Sequence, residues 1–378
     1  MTLPKISACS SLQVMVYTDA MGVGGAEISL EHLIANVSSD VAITVVGVSK
    51  HVVDTIAARR SHTKSIVLPG TGIQSLIAHV ATFHRLKPDL IHFNLCTPWA
   101  GAIGLVAALS LPRARVVRVD QLPLRTTDAI ELWRTRMLSL RVDAHVAVGE
   151  ASARRMEDFY ALGRHTVLSV PNGVPDSPST QFKTAKQIDG RLLVGSVGRL
   201  DAMKAHDVLL RAIAQVDDVR VEILGEGEQR AALEQLAVEL GIDDRVSLPG
   251  WMEQPRDRLF NYDLFVLPSR SEGFPLAIVE AMLAACPVIA TRVGSIAEAV
   301  LHGETGLLIE KNDVDGLTAA LRTLGDDPAL RDRMGQRGRT VAMANFTAPH
   351  MAKRYEEIWQ KVLSMSRSPR LFVPRPHD

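Results

Sequence analysis

Residues 263–285 read DLFVLPSRSEGFPLAIVEAMLAA, and this stretch decides the fold. Its first letters, DLFVLP, form a short apolar run that predicts a buried strand. After a polar loop, Pro275 is placed to begin a helix, because proline fits the first helical turn. A strand followed at once by a helix is the repeating unit of a parallel sheet covered by helices. The chain is therefore predicted to be an α/β protein.

The same alternation extends over the whole chain in two series. The first contains the β-branched runs LQVMVYTD, VAITVVGVS, DLIHFN and ARVVRVD, and the second contains LLVGSVG, VRVEILGEG and PVIATRVG. A segment rich in Pro, Ser, Gly and Lys, VPNGVPDSPSTQFKTAKQIDG, separates them. At 378 residues the chain has the length of two domains of roughly 150 to 200 residues each. We predict two doubly wound Rossmann-like domains facing across a cleft.

The predicted domain boundaries follow from that separating segment. The first domain covers residues 1–177, the second covers 178–365, and residues 366–378 are expected to be a flexible tail. An amphipathic helix at about 350–365 is expected to pack back onto the first domain. In sheets of this kind ligands bind beyond the carboxyl ends of the strands. The loops that follow strands are therefore where functional residues are sought.

Composition excludes several classes of protein. Lys plus Arg and Asp plus Glu both number 42, so no overall positive charge indicates a nucleic-acid partner. The three cysteines, Cys9, Cys96 and Cys286, lie far apart and predict neither a disulfide framework nor a zinc site. No signal-peptide core is evident in MTLPKISACSS, and a cytoplasmic location is expected.

Two loops are rich in groups that bind anions. YTDAMGVGGAEIS follows the first strand and opens a helix near Gly25, where backbone N–H groups could approach an anion. GSVGRLDAMK follows the first strand of the second domain and contains Arg199 and Lys204. A planar guanidinium and a mobile ammonium suit a diphosphate that gains negative charge as a bond breaks. The alternatives are a structural turn for the first loop and a solvated basic loop for the second.

Glu272 and Glu280 flank the apolar segment GFPLAIV. Glu272 is expected in the loop and Glu280 in the second turn of the helix. Acidic residues near a helix N-terminus are favourable, so a capped core helix explains both. A carboxylate also accepts two hydroxyl protons at once, which suits a ribose diol or the edge of a sugar.

Four motifs in order, GRLDAMKAHDVLLRAIA, SEGFPLAIVEAM, PVIATRVGSIAEAV and GETGLLI, resemble those of retaining glycosyltransferases of the family 4 type, which have the GT-B fold. The resemblance continues through the first domain in GVGGAE, PDLIHFN, VAVGEASARRM and VPNGVP. It covers nearly the whole chain, and the set of motifs together is highly specific.

The resemblance implies a role for each residue that matches a family motif. Arg199 and Lys204 would hold the diphosphate as the leaving group, while Glu272 would face the donor sugar and Glu280 the nucleotide ribose. The loops that approach or close on the donor would be formed by Gly24, Gly25, Gly273, Phe274 and Pro275. In such enzymes the acceptor is thought to attack from the face that the leaving group departs from. No metal and no cofactor are expected.

The sequence departs from the family pattern at several positions. Asp120, in VVRVDQLP, stands where a histidine is common, and we expect its carboxylate to orient an acceptor or sugar hydroxyl. His92 is followed by Phe93 and Asn94 where His-x-His is common, and it is interpreted mainly as a packed residue. Ser295 and Ala297 replace family residues in VGSIAE, which retains Glu298.

The predicted activity is that of a hexosyltransferase. It uses a nucleotide-diphospho-sugar donor, UDP- or GDP-linked, and a hydroxyl of a glycan or lipid-linked acceptor in polysaccharide or glycolipid synthesis. The alternatives are an epimerase acting on nucleotide sugars and a non-catalytic protein that binds them, and the set of Arg199, Lys204, Glu272 and Glu280 argues against the latter.

A weak peripheral contact with the inner face of a membrane is a minor hypothesis. In AIELWRTRMLSLR one helical face contains Trp133, Met137 and Leu140, with Arg134 and Arg141 on another. The favoured interpretation is an ordinary surface helix whose apolar stripe packs inward. The uncharged segment AGAIGLVAALSL is likewise interpreted as a buried helix rather than a membrane span.

Overall fold

The computed structural model describes residues 11–176, 191–252 and 254–366. The chain folds into two compact units. Of the described residues, the first unit contains 11–148, 153–170 and 351–366, and the second contains the rest, including 149–152. The predicted boundary between residues 177 and 178 lies outside the described residues, as does the predicted tail apart from residue 366.

The first unit is a seven-stranded parallel sheet in the order β3-β2-β1-β4-β5-β6-β7. Its strands are β1 (Leu12–Thr18), β2 (Val41–Gly47), β3 (Lys64–Val67), β4 (Leu90–Leu95), β5 (Arg115–Asp120), β6 (Ala144–Ala147) and β7 (Val167–Ser169). The helices between them are α1 (Gly25–Asn36), α2 (Lys50–Ala57), α3 (Gly72–Leu86), α4 (Ala102–Leu109), α5 (Ala129–Ser139) and α6 (Glu150–Tyr160).

The second unit is a six-stranded parallel sheet in the order β10-β9-β8-β11-β12-β13. Its strands are β8 (Leu192–Val197), β9 (Val219–Leu224), β10 (Val246–Gly250), β11 (Leu264–Leu267), β12 (Val288–Thr291) and β13 (Gly306–Ile309). Its helices are α7 (His206–Ile213), α8 (Arg230–Glu239), α9 (Arg256–Leu259), α10 (Leu276–Leu283), α11 (Ile296–Ala299), α12 (Val314–Asp326) and α13 (Pro328–Asn345).

These two sheets confirm the predicted fold class of two doubly wound Rossmann-like domains. Each sheet reverses its winding once, between β1 and β4 in the first unit and between β8 and β11 in the second. Inner strands such as β4 and β11 are buried on both faces because helices cover both faces of the sheet, as expected of parallel sheets, whereas the edge strand β3 is largely exposed. Ligands of such sheets bind at the carboxyl ends of the strands where the winding reverses.

The last helix, α14 (Ala348–Ser364), packs on the first unit from Met351 onward. Trp359 is fully buried, and its indole N–H donates to Nδ1 of His92 over 3.3 Å. Tyr355 and Trp359 both pack edge-on against the His92 ring, with centroids 5.1 and 5.6 Å away. Burial lowers the pKa of His92 to about 3, so the imidazole is neutral. His92 is a packed residue, which agrees with the favoured interpretation of the sequence.

Candidate active site

The point where the winding of the second sheet reverses contains the predicted catalytic residues of that unit. Strands β8 and β11 are direct neighbours, with Leu264 paired to Val194 and Phe265 to Gly195. Arg199 and Lys204 follow β8, and Glu272 follows β11. Because the strands are parallel, both loops emerge at the same edge of the sheet. The fold therefore brings these three residues to one edge of the sheet, although Arg199 and Glu272 are 73 positions apart in sequence.

Lys204 and Glu272 form a direct ion pair. Nζ of Lys204 lies 2.6 Å from Oε1 of Glu272, and Oγ of Ser269 donates to the same oxygen over 2.7 Å. The Glu272 side chain is 8% exposed and that of Lys204 is 19% exposed, so water screens the pair only partly. Oε2 of Glu272 accepts from neither Lys204 nor Ser269. Oε1 of Glu272 is thus held by two side chains of the protein, and Oε2 takes no part in those two bonds.

Ser269 was not predicted to belong to this site. It lies two residues beyond β11 and is fully buried, and its carbonyl accepts from the Thr291 hydroxyl over 2.6 Å. The sequence gives only a weak signal for it, since a serine after a strand is common in loops. Its function here is to fix the orientation of the Glu272 carboxylate.

Arg199 differs from Lys204 in being open to solvent. Its side chain is 71% exposed, and its guanidinium lies 2.9 Å from Oδ2 of Asp201. The other oxygen of Asp201 accepts from the backbone N–H groups of Met203 and Lys204, each over 3.0 Å. Asp201 therefore folds the loop after β8 and orients both predicted phosphate-binding side chains. Asp201 was not predicted to belong to this site, although an aspartate that accepts from N–H groups further along the chain is a known turn signal.

The loop of Gly273, Phe274 and Pro275 is held in place by neighbours within the second unit. Phe274 is buried against the ring of Phe346, with centroids 5.1 Å apart, and its carbonyl accepts from the Asn172 amide over 3.0 Å. Pro275 is the N-cap of α10, one residue before the helix begins. These contacts fix the backbone on which Glu272 is placed.

Gly294 permits a close approach to that loop. It adopts a positive φ of 54°, and a Cβ there would lie 2.0 Å from the carbonyl oxygen of Glu272. The next residue, Ser295, donates its N–H to the carbonyl of Gly273 over 2.9 Å. A side chain at position 294 would therefore displace the segment that contains Glu272.

Glu280 lies in the second turn of α10, as predicted, and pairs with a basic side chain other than Lys204. Nε of Arg256 lies 3.8 Å from Oε1 of Glu280, whose side chain is 11% exposed. Desolvation by burial raises the pKa of Glu280, and the positive charge of Arg256 opposes that rise. Arg256 was not predicted to be near this carboxylate. The two glutamates of the motif are thus paired with different basic residues.

Gly24 and Gly25 lie at the start of α1, beside the point where the first sheet reverses its winding. A Cβ on Gly25 would meet nothing within 4 Å, and one on Gly24 would meet only Oε2 of Glu27, at 3.5 Å. The N–H of Gly24 donates to that oxygen over 3.1 Å. Burial raises the pKa of Glu27 to about 7 against opposing bonds from the Gly24 and Glu27 N–H groups, while the charges of Asp19 and Glu31 add to the rise. Glu27 was not among the predicted site residues.

Asp120 does not project beyond its strand as predicted. It is the last residue of β5 and is 1% exposed. One oxygen accepts from Nε of Arg118 over 3.2 Å and the other from the Tyr160 hydroxyl over 2.8 Å. The Arg118 guanidinium also lies over the Tyr160 ring, 5.2 Å from its centroid. Because both oxygens have partners inside the first unit, this geometry favours a structural role and does not support the predicted orientation of a substrate hydroxyl.

The substituted segment VGSIAE makes contacts of its own. Oγ of Ser295 lies 3.0 Å from Oγ of Ser152, and the Ser152 N–H donates to it over 3.2 Å. The Glu298 carboxylate accepts from the N–H groups of Glu150 and Ala151 over 2.8 and 2.9 Å. These acceptors satisfy backbone N–H groups of residues 150–152, which belong to the same unit as Ser295 and Glu298.

The described residues contain no group of three or more His, Cys, Asp or Glu side chains that could hold a metal ion. In the same part of the chain, no helix combines the length and the apolar character needed to cross a bilayer. Metal independence stays a prediction.

Comparisons with known proteins show what the chain is similar to. Residues 179–341 match the model of the family "Glycosyl transferases group 1". The structure of Anabaena Alr3699/HepE in complex with UDP superimposes with a TM-score of 0.81 at 22% identity, covering 93% of this chain and all of the other. A structure at this level of identity shows the fold alone. The chain has the GT-B fold, and residues 179–341 are similar to the glycosyl transferases of group 1.

Two relatives are similar to more than half of the chain. The lipopolysaccharide core biosynthesis glycosyltransferase LpsE of Rhizobium meliloti (strain 1021) is 26% identical over 306 residues, which are 79% of this chain and 83% of LpsE. The D-inositol 3-phosphate glycosyltransferase of Nocardia farcinica (strain IFM 10152) is 35% identical over 251 residues, which are 60% of this chain and 54% of that protein.

Proposed function

We propose that this protein is a retaining hexosyltransferase that moves a sugar from a nucleotide-diphospho-sugar donor, UDP- or GDP-linked, to a hydroxyl of a glycan or lipid-linked acceptor. The observation that carries the proposal is the convergence of Arg199, Lys204 and Glu272 where the second sheet reverses its winding. A setting in polysaccharide or glycolipid synthesis is supported by the names of relatives such as LpsE. A UDP-linked donor is supported by the HepE complex with UDP.

The two basic residues would hold the diphosphate in different ways. An ammonium has three donors, and only one is needed for the bond from Lys204 to Glu272, so the other two can reach phosphate oxygens. Arg199 offers a largely exposed planar fork that suits bidentate binding of phosphate. Both charges offset the negative charge that develops on the diphosphate as it leaves.

Oε2 of Glu272 would accept a hydrogen bond from a hydroxyl of the donor sugar. Its Oε1 is held by Lys204 and Ser269, so the carboxylate needs no rearrangement when the sugar binds. A carboxylate held in place in a partly dry site stabilises charge at low reorganisation cost. Glu280 would accept from the ribose diol, since it lies on the next turns of the same segment and is partly desolvated.

The reaction replaces one bond at the anomeric carbon by another. The bond from that carbon to the diphosphate oxygen breaks, and its electron pair leaves with the diphosphate. The acceptor hydroxyl oxygen forms the new bond, and its proton passes to the diphosphate. Attack from the face of departure retains the anomeric configuration. Arg199 and Lys204 assist by stabilising the diphosphate, and no redox step is involved.

Thermal-shift binding of UDP, GDP, ADP and their hexose conjugates tests the donor first. The nucleotide that stabilises the wild type is then used with acceptor mixtures, and the anomeric configuration of the product is read by NMR. Inversion of configuration would refute the retaining mechanism.

The site assignment is tested with Glu272→Gln, which keeps the size of the side chain and removes its charge. We expect transfer to fall about 100-fold or more, as for other residues that stabilise a transition state electrostatically. Glu304→Gln is the matched control, because Glu304 is 61% exposed and pairs only loosely with Arg337 at 3.9 Å. Full transfer by a folded Glu272→Gln protein would refute the assignment.

A further inference from the structure

The first unit exposes an unusual number of large apolar side chains on three consecutive helices. They are Ile73 and Ile77 on α3, Leu109 on α4, and Ile130, Trp133 and Met137 on α5, each between 48% and 80% exposed. We call these six residues the apolar face. Helices α3 and α4 pack together, as do α4 and α5, so the three form a continuous layer on the sheet. Contiguous exposed apolar surface in a soluble protein marks a site of interaction.

This arrangement is the reverse of the favoured interpretation of α5. The stripe of Trp133 and Met137 was expected to pack inward, yet both side chains lie toward solvent. The buried side of α5 consists instead of Thr135, Leu138 and Ser139. Helix α4, predicted to be buried, also exposes Leu109 at its end. Tertiary packing uses the smaller side chains of α5 and leaves its largest ones outside.

An open groove of about 410 Å³ lies between the three helices. Its walls are the apolar side chains of Ile73, Leu76, Ile103, Val106 and Leu138, together with small residues of α3 and α4. Among the described residues, Arg134 is the one charged side chain that lines it. The groove is of the size of small-molecule pockets, but it opens on the apolar face and lacks, in the part of the chain that the structure describes, the several polar groups that orient a small ligand.

The segment that contains the apolar face has an excess of basic residues. Residues 70–142 contain nine Lys or Arg and four Asp or Glu, although the whole chain has equal numbers of each sign. Helices α3 and α4 contain no acidic residue at all. On α5, Glu131 lies 3.8 Å from Arg134, and Asp128 is occupied in accepting from the N–H groups of Ile130 and Glu131. Within residues 70–142 the exposed basic side chains are Arg85, Lys87, Arg113, Arg125 and Arg134, and the exposed acidic ones are Asp89 and Asp128.

We propose that the apolar face docks on the surface of a bilayer that contains anionic lipids. Trp133, Ile130 and Ile77 enter the interfacial region, where tryptophan is favoured, and the surrounding arginines meet the lipid headgroups. The excess of one charge disfavours a second copy of the same face as the partner, because two such surfaces would repel each other. This inference goes beyond transfer activity and does not depend on it.

Sedimentation with vesicles of phosphatidylcholine, with and without phosphatidylglycerol, tests the proposal on the full chain. We expect the wild type to bind the vesicles that contain phosphatidylglycerol and to be released by added salt. The double variant Ile77→Ser, Trp133→Ser should bind at least about tenfold more weakly, because each substitution removes a large apolar side chain from the contact. Both positions are exposed, so the fold should persist, and circular dichroism checks this.

The matched control is the double variant Val238→Ser, Trp251→Ser. These two residues lie in the second unit and are 59% and 72% exposed. Their substitution therefore removes comparable apolar side chains from a different surface. Unchanged binding by this control supports the proposal. Equal losses in both double variants, no vesicle binding by the folded wild type, or a wild-type dimer that only the Ile77, Trp133 variant dissociates would each overturn it. The readout is independent of sugar transfer, so its failure is distinct from failure of the proposed activity.

Discussion

Replacing Glu27 with glutamine should stabilise the protein at neutral pH and leave its stability unchanged in acid. Glu27 is 4% exposed; among the described residues, its Oε2 accepts from the Gly24 N–H and its Oε1 has no hydrogen-bond partner. Burial raises the pKa of this carboxyl from 4.5 to about 7. Glutamine keeps the oxygen that accepts from Gly24, since glutamine serves as well as glutamate at this position of a helix start.

The sign follows from proton binding in the two states. Between pH 4.5 and 7 the folded protein keeps a proton on Glu27 that the unfolded chain has released, so the free energy of unfolding falls as the pH rises. Above pH 7 the loss is complete. A rise of roughly 2.5 pKa units corresponds to about 3 kcal/mol, at about 1.4 kcal/mol per unit. The Glu27→Gln protein avoids this loss because its side chain is neutral throughout.

Urea unfolding of both proteins from pH 4.5 to 8 measures the effect, with the two units fitted as separate transitions. The difference between variant and wild type cancels the other titrating groups. We expect it to be near zero at the acid end and to reach about 3 kcal/mol in favour of the variant above pH 7. A difference that does not change with pH, or a variant less stable than the wild type at pH 8, would show that Glu27 is ionised and stabilised in the folded protein. Glu304→Gln, at an exposed carboxylate that pairs only loosely with Arg337, is the control.

Three further substitutions separate structural from functional residues. Asp120→Ala should lower the free energy of unfolding by about 3 to 5 kcal/mol, because it leaves Arg118 buried without its carboxylate; a loss below 1 kcal/mol in urea unfolding would contradict the structural role. Gly294→Ala should lower both the melting temperature and the rate of transfer, since its Cβ would meet the Glu272 carbonyl; a variant with normal values of both would contradict this. Arg199→Ala should leave urea unfolding within about 0.5 kcal/mol of wild type and reduce kcat/KM about 100-fold, and equal activity would remove Arg199 from the site.

Much of the fold is predictable because each structural unit leaves a local signal. The apolar runs that became β8 and β11 and the helices that follow them are recognisable without any tertiary information. Parallel strands then require their carboxyl ends to lie at one edge, which is why Lys204 and Glu272 meet although 68 residues separate them. Ser269, which is also bonded to Glu272, carries no comparable signal.

Asp120 shows where such reasoning stops. Arg118 precedes it by two residues, and in a strand side chains two apart lie on the same face, so their ion pair was recognisable from the sequence. Tyr160, which binds the other carboxylate oxygen, is 40 residues away, and nothing local indicates it. With Arg118 alone as its partner the Asp120 carboxylate resembles a functional residue, whereas bonds to both Arg118 and Tyr160 favour a structural role.

The side of α5 that faces the sheet was unpredictable for a related reason. Its sequence offers large apolar side chains on one side and Leu138 with two small polar residues on the other. Periodicity identifies both sides but does not say which one the sheet covers. That choice is made by tertiary packing, in which Leu138 joins the core cluster that contains Ala107 and Ala108. The exposed stripe of Trp133 and Met137 therefore became evident only in the structure.

The coupling between Lys204 and Glu272 determines which variant can report on phosphate binding. Removing Lys204 leaves a nearly buried carboxylate without its cation, so the resulting loss mixes a displaced Glu272 with a missing phosphate contact. Arg199 is largely exposed, and the loop is held by bonds from backbone N–H groups to Asp201 that do not involve Arg199. A loss of donor affinity in Arg199→Ala at unchanged stability is therefore the cleaner evidence that the loop after β8 binds the diphosphate.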